Sequence, residues 1–274
     1  MSRISSSKGK PLLAFIGGAC IGTLGGLIGL GGAEFRLPLL IGLFGFAVLS
    51  AVILNKAMSL VVVASALLFR TKAVPFDEVL AHWPVVVNLL AGSLLGAWLG
   101  ADWATRIRSQ SLHRVLAALL VLMAAALLVG HDHTAGDPQF TGAAQIAVGV
   151  AAGLGIGAVT SLMGVAGGEL LIPTLVLLFG ADIKLAGSLA LAVSLPTMLV
   201  GFARYSRDSS FAELGHNKSF VLCMAAGSLM GASIGGYMLG VVPSRVLFPI
   251  LAAILIVSAF KVWRHGVSDG AGLH

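Results

Sequence analysis

The sequence predicts an all-α polytopic membrane protein: two inverted repeats of five segments each, giving eight to ten transmembrane or re-entrant helices with Gly-rich breaks. Three observations carry this. Hydrophobic residues make up 58% of the 274-residue chain and charged residues only 10%, against roughly 45–50% and about 25% in an ordinary soluble domain. Apolar stretches of membrane-spanning length recur along the whole chain between short polar breaks. A shift of 135 residues then lays the second half on the first without a gap.

The first half, residues 1–130, divides into apolar segments at about 11–31, 35–48, 52–70, 83–103 and 114–130. Arg3, Lys8 and Lys10 precede the first segment as in a signal peptide, but no small-residue cleavage site follows, so it reads as a retained helix. The second segment is short and follows a glycine cluster, which suits either a crossing or a half-helix returning from a re-entrant hairpin. The fourth carries Gly92, Gly96 and Gly100 on one helix face. Residues 131–141 are polar, rich in turn signals and free of Lys and Arg, and form an extracytoplasmic linker.

The second half, residues 142–264, repeats the pattern at 142–164, 169–180, 185–203, 218–240 and 246–263, with 265–274 as a short cytoplasmic tail. Twelve of 28 aligned pairs are identical between 18–45 and 153–180, among them Glu34/Glu169 and Pro38/Pro173. A second block, 91–100 against 226–235, matches at seven of ten positions in the same register. Chance similarity in a Gly- and Leu-rich chain does not readily produce a paired Glu, a paired Pro and a second block together. The glycines at 227, 231 and 235 repeat the spacing of those at 92, 96 and 100, so packing between these two helices is expected, with a homodimer seam as the second reading.

With a cytoplasmic N-terminus and a change of side at every segment, twelve Lys and Arg fall on the cytoplasmic side and five opposite. Both termini are then cytoplasmic. An odd number of passes per half inserts the second half upside down relative to the first, an arrangement common in secondary transporters. The net charge of +6 is topogenic charge at segment ends, not a nucleic-acid surface. Cys20 and Cys223 lie inside apolar runs and support neither a disulfide scaffold nor a metal site. His131 and His133 read as part of a solvated loop. No metal or other cofactor is implied, and no nucleophile–base pair or HExxH motif points to an intramembrane enzyme.

The two breaks read Gly29-Leu30-Gly31-Gly32-Ala33-Glu34-Phe35-Arg36-Leu37-Pro38 and Gly164-Val165-Ala166-Gly167-Gly168-Glu169-Leu170-Leu171-Ile172-Pro173. Glycines let the backbone leave helical geometry. A half-helix starting there offers amide N–H groups and the positive end of its dipole to an anion. The competing reading is close helix packing by glycine. Glu34 and Glu169 are intramembrane carboxylates, costly enough to be functional candidates. An anion site beside them requires that they be protonated during part of the cycle, which would couple transport to protons; alternatively each caps its own helix. Arg36 and Lys56 have no charged counterpart in the other half and could supply positive charge. Their alternatives are an ion pair of Arg36 with Glu34 or snorkelling, and a topogenic role for Lys56. Asn55, Ser59, Ser188 and Ser194 are donors in apolar helices, a type that more often bonds a neighbouring helix.

This pair of G-x-G-G-x-E-x-x-x-P-like segments, one per half, resembles the TauE/SafE family of membrane anion exporters over nearly the whole chain. Ala33 and Ala166 depart from its usual glycine triplet. The resemblance implies export of sulfite or organosulfonates across the bacterial cytoplasmic membrane. The candidate substrate-binding set is Gly29, Gly31, Gly32, Ala33, Glu34, Arg36, Asn55, Lys56, Gly164, Gly167, Gly168, Glu169 and Ser188, with Glu34 and Glu169 also carrying protons. The expected partners are a small anion and the lipid bilayer. The rival is a cation or divalent-metal transporter using the two glutamates as ligands.

Overall fold

A computed structural model describes residues 11–28, 32–70, 76–129, 141–237 and 244–271, and these form twelve α-helices with no strand among them. In chain order they are α1 (Pro11–Ile28), α2 (Ala33–Gly42), α3 (Val48–Arg70), α4 (Phe76–Ala81), α5 (Trp83–Arg106) and α6 (Ser109–Val129). There follow α7 (Gly142–Met163), α8 (Gly168–Phe179), α9 (Ile183–Tyr205), α10 (Ala212–His216), α11 (Lys218–Tyr237) and α12 (Ser244–Ala271). Ten of these coincide with the ten apolar segments. The short α4 and α10 lie in the polar connections, where no apolar run announces them. The stretch expected as a tail from residue 265 continues α12 as helix to Ala271.

The protein is a multi-pass membrane protein. Among the described residues, five helices have the length and composition to cross a bilayer: α3, α5, α7, α9 and α11. Their outward positions are apolar: on α5, Leu95, Leu99 and Trp103 are exposed while Gly92, Gly96 and Gly100 are buried. In water such a surface would aggregate, whereas in lipid it is the matched solvent.

The short helices set the architecture of the centre. With 10 and 12 residues, α2 and α8 rise only about 15 and 18 Å, far less than a hydrocarbon core of about 30 Å. Each folds back along the helix before it. Gly32 sits beside Ile21 of α1, and further along α2 Leu39 lies against Gly17. On the other side Gly167 sits beside Thr160 of α7, and near the end of α8 the Leu178 carbonyl accepts from Gln145 Nε2 at 2.8 Å. Each short helix thus lies back along the one before it and is, by its own length, shorter than a full crossing.

The long helices pack as α1 with α11, α5 with α7, α6 with α12 and α3 with α9. The first two contacts are made backbone to backbone. A Cβ on Gly92 or Gly96 would strike the carbonyl of Val150 or Leu154, and one on Gly227 or Gly231 would strike that of Phe15 or Ala19. Both partners rise together along the contact, so each pair is parallel. This corrects the expected pairing of the two glycine-bearing helices with one another. Each instead meets a helix with glycines of its own, Gly18 and Gly22 on α1 or Gly153 and Gly157 on α7, because only two Cβ-free faces let backbones approach this closely.

Candidate functional site

The two breaks are built by glycine in the left-handed region, where an L side chain is strained: Gly32 at φ 67° and Gly167 at φ 82° begin α2 and α8, and Gly164 at φ 69° ends α7. Each short helix then carries a glutamate in its first turn. Both are buried. The two carboxyl groups also lie within reach of one another. Glu169 Oε2 is buried with no hydrogen-bond partner. The first turns of two half-helices, arriving from opposite halves of the chain, thus converge on a carboxyl pair. The spacing E-x-x-x-P has a local consequence as well. Pro38 and Pro173 lack the N–H that would close onto the carbonyls of Glu34 and Glu169, so the turn that carries the pair is also loosened.

Beside the pair lies Arg36, with 0% of its surface exposed. Its Nε donates to Asn55 Oδ1 at 2.9 Å, Nη1 to Ser228 Oγ at 3.2 Å and Nη2 to Ser59 Oγ at 3.0 Å. All three acceptors are neutral, and the charge that faces the guanidinium is that of the Glu34 carboxyl. Asn55 does more than receive it. Its Nδ2 donates to the Ala33 carbonyl at 3.0 Å and to the Met163 carbonyl at 3.1 Å, which ties the first break and the second to the same point on α3. Gly164 packs directly on the α3 backbone at Val52 and Lys56.

Lys56 is buried too, with 1% exposure, one residue beyond Asn55 on α3. Its Nζ donates to Ser161 Oγ at 3.1 Å and lies 5.7 Å from the centre of the Tyr205 ring. Tyr205 in turn donates to the Ser161 carbonyl at 2.9 Å. The expectation of Lys56 as a charge at a helix end is corrected here: α3 begins at Val48, so Lys56 sits about two turns inside it. Arg36 likewise does not snorkel.

Gly168 and Ala33 are the first residues of α8 and α2. Ser188 is buried on α9, and Ser194 on the same helix donates to the Ala166 carbonyl in the second break at 2.7 Å. Gly29 and Gly31 lie outside the described residues. The structure thus brings Ala33, Glu34, Arg36, Asn55 and Glu169 together, with Lys56 adjacent. It adds Ser161, Gly201, Tyr205 and Ser228, which the sequence reading did not single out. Ser228 was visible as one of the identities in the second repeated block, where it pairs with Ser93. Among the described residues no group of three or more His, Cys, Asp or Glu side chains could hold a metal ion.

A protein-family model, Sulfite exporter TauE/SafE, matches residues 13–262. No curated protein and no solved structure matches the chain. The family match spans both breaks and every buried polar residue described above, and it makes the protein a membrane transporter of an anion-exporting family and not an enzyme. The chain belongs to the TauE/SafE sulfite exporter family.

Proposed function

We propose that the protein is a proton-coupled secondary transporter that exports a small sulfur oxyanion, sulfite or an organosulfonate, by alternating access between two inverted halves. The observation that carries this reading is the meeting of Glu34 and Glu169 at the starts of two re-entrant helices, with the Arg36 guanidinium held beside them by neutral partners. Two bare carboxylates side by side in a dry interior repel strongly, and taken as such they leave Glu169 Oε2 without a donor. One proton held between them removes both problems. When the pair takes up a second proton, the positive helix ends and Arg36 are left without a negative partner, and an anion can take that place. When the pair loses it, the anion is expelled.

Several features support two inverted halves. The pairing of helices has the same form from either half: the first segment of each half lies parallel to the fourth segment of the other. Within one half the first and fourth segments run oppositely if every segment changes side, so a parallel α5–α7 contact needs α7 to run opposite to α1. The termini are cytoplasmic in this reading. Moving Arg36 and Lys56 from the loop tally into the protein interior leaves eleven Lys and Arg inside against four outside, so the charge bias still holds.

The paired carboxylates would also suit a divalent cation, and one assay separates the two readings. Full-length protein in proteoliposomes is expected to carry sulfite or sulfoacetate saturably, at a rate that responds to an imposed pH gradient, and to carry no manganese. Manganese flux without anion flux would reassign Glu34 and Glu169 as metal ligands.

A further inference from the structure

The two ends of the bundle are built from matching stretches of the chain and differ in what fills them. At one end a cavity of about 390 Å³ lies between α5, the last residue of α8 and the first turns of α9, walled by Val85, Phe179, Gly180, Ala181, Asp182 and Leu189. Asp182 is exposed, so the cavity opens at the protein surface, and it reaches down α9 to the fully buried Leu189. The 135-residue register sets Phe44, Gly45, Phe46 and Phe220 against Phe179, Gly180, Ala181 and Val85. Where the cavity has an alanine and a valine, the matching stretch therefore has two more rings. Phe44 and Phe46 both stand edge-on to the buried Phe220, with ring centres 4.8 and 5.3 Å apart, an arrangement that ring quadrupoles favour.

The rings and the cavity lie at opposite ends. From the cavity α9 runs 23 residues to Tyr205, a rise of about 34 Å. Lys56 of α3 lies against Gly201 and Tyr205, and α3 begins at Val48, just after Phe46, so the rings sit where α9 finishes. That end carries a tie between the halves as well, since Arg204 Nε of α9 donates to Asp102 Oδ1 of α5 at 2.9 Å. Asp102 and Arg204 align with Tyr237 and Phe69, so the register repeats no such ion pair at the cavity end. We propose that Phe44, Phe46 and Phe220 are the gate that closes one end of the transport path, and that the ring content at positions 46 and 220, against 181 and 85, sets which end stands open. The proposal rests on the alternating access argued above: the rings face the cytoplasm and must part before an anion can load, and the cavity is the release route.

The test exchanges the ring content of the two ends and reads access to the centre. Ser59→Cys, in a Cys20→Ala, Cys223→Ala background of the full-length protein, puts one thiol beside Arg36. A membrane-impermeant, negatively charged methanethiosulfonate is applied to right-side-out and inside-out vesicles, with no substrate and no pH gradient. Labelling is expected from the cavity side, and more slowly from the ring side. Phe46→Ala with Phe220→Val removes two edge-to-face contacts and should raise the ring-side rate about tenfold or more. Ala181→Phe with Val85→Phe should lower the cavity-side rate by a similar factor, and this filling variant decides the question if the ring-free one does not fold. A ring-side rate unchanged by ring removal, a cavity-side rate unchanged by ring insertion, or equal rates from both sides before either change overturns the gate. Rates that shift as expected in a protein that carries no sulfite keep the gate and remove the exporter reading instead.

Discussion

Glu34 and Glu169 are separated by 135 positions in the chain and meet in its buried centre. That contact is the smallest unit of the proposed mechanism, and a conservative change isolates it. Glutamine keeps the volume and can still donate to the remaining carboxyl, so Glu34→Gln and Glu169→Gln should fold, but neither variant pair can exchange its full complement of protons. Sulfite flux in proteoliposomes is expected to lose its dependence on the pH gradient in both. Gradient dependence equal to wild type in both variants would contradict the coupling role. At this scale the sequence marks the unusual residues well, because a Glu, an Arg, a Lys or an Asn in an apolar run is conspicuous. It does not mark their partners. Asn55 reaches carbonyls 22 and 108 positions away, and nothing local in Leu54-Asn55-Lys56 says so. Ser161 and Tyr205 are ordinary residues near helix ends until the fold sets Lys56 against them.

Between elements, the decisive contacts are glycine faces. Gly96 of α5 approaches the α7 backbone at Leu154 so closely that any side chain must push the helices apart. Overpacking of this kind costs about 1–3 kcal/mol, so Gly96→Ala is expected to lower the unfolding temperature in detergent measurably. Gly155→Ala is the matched control, since nothing lies within 4 Å of its Cβ position and Ala is the better helix former by about 0.8–1.0 kcal/mol. Equal losses in the two variants would refute close α5–α7 packing. The glycine period is readable from the sequence because spacing alone decides which residues share a face. The partner is not, because a smooth face fits any other smooth face, and α1 and α7 carry glycines at the same interval. The packing of α2 and α8 back along the helices before them is hidden for a related reason: an apolar run of 10–12 residues between glycines does not say which neighbour it lies against.

Across the whole molecule, the account rests on two halves of opposite orientation. Only then do the two breaks bring their half-helices to one point from opposite directions, and only then does each first segment lie parallel to the other half's fourth. The duplication is strongly marked in the sequence by the matched Glu and Pro, and the orientation is marked by the charge bias. The asymmetry of function within the repeat is marked as well, since Arg36 aligns with Leu171 and Lys56 with Leu191, so the positive charge at the centre comes from the first half alone. The most direct measurement is side-specific labelling of single cysteines, in a Cys20→Ala, Cys223→Ala background, at Ser7→Cys, Asp137→Cys and Ser268→Cys in intact cells. The account predicts that a membrane-impermeant thiol reagent reaches only position 137 from outside, with the other two labelled after lysis; labelling of all three from one side would contradict it.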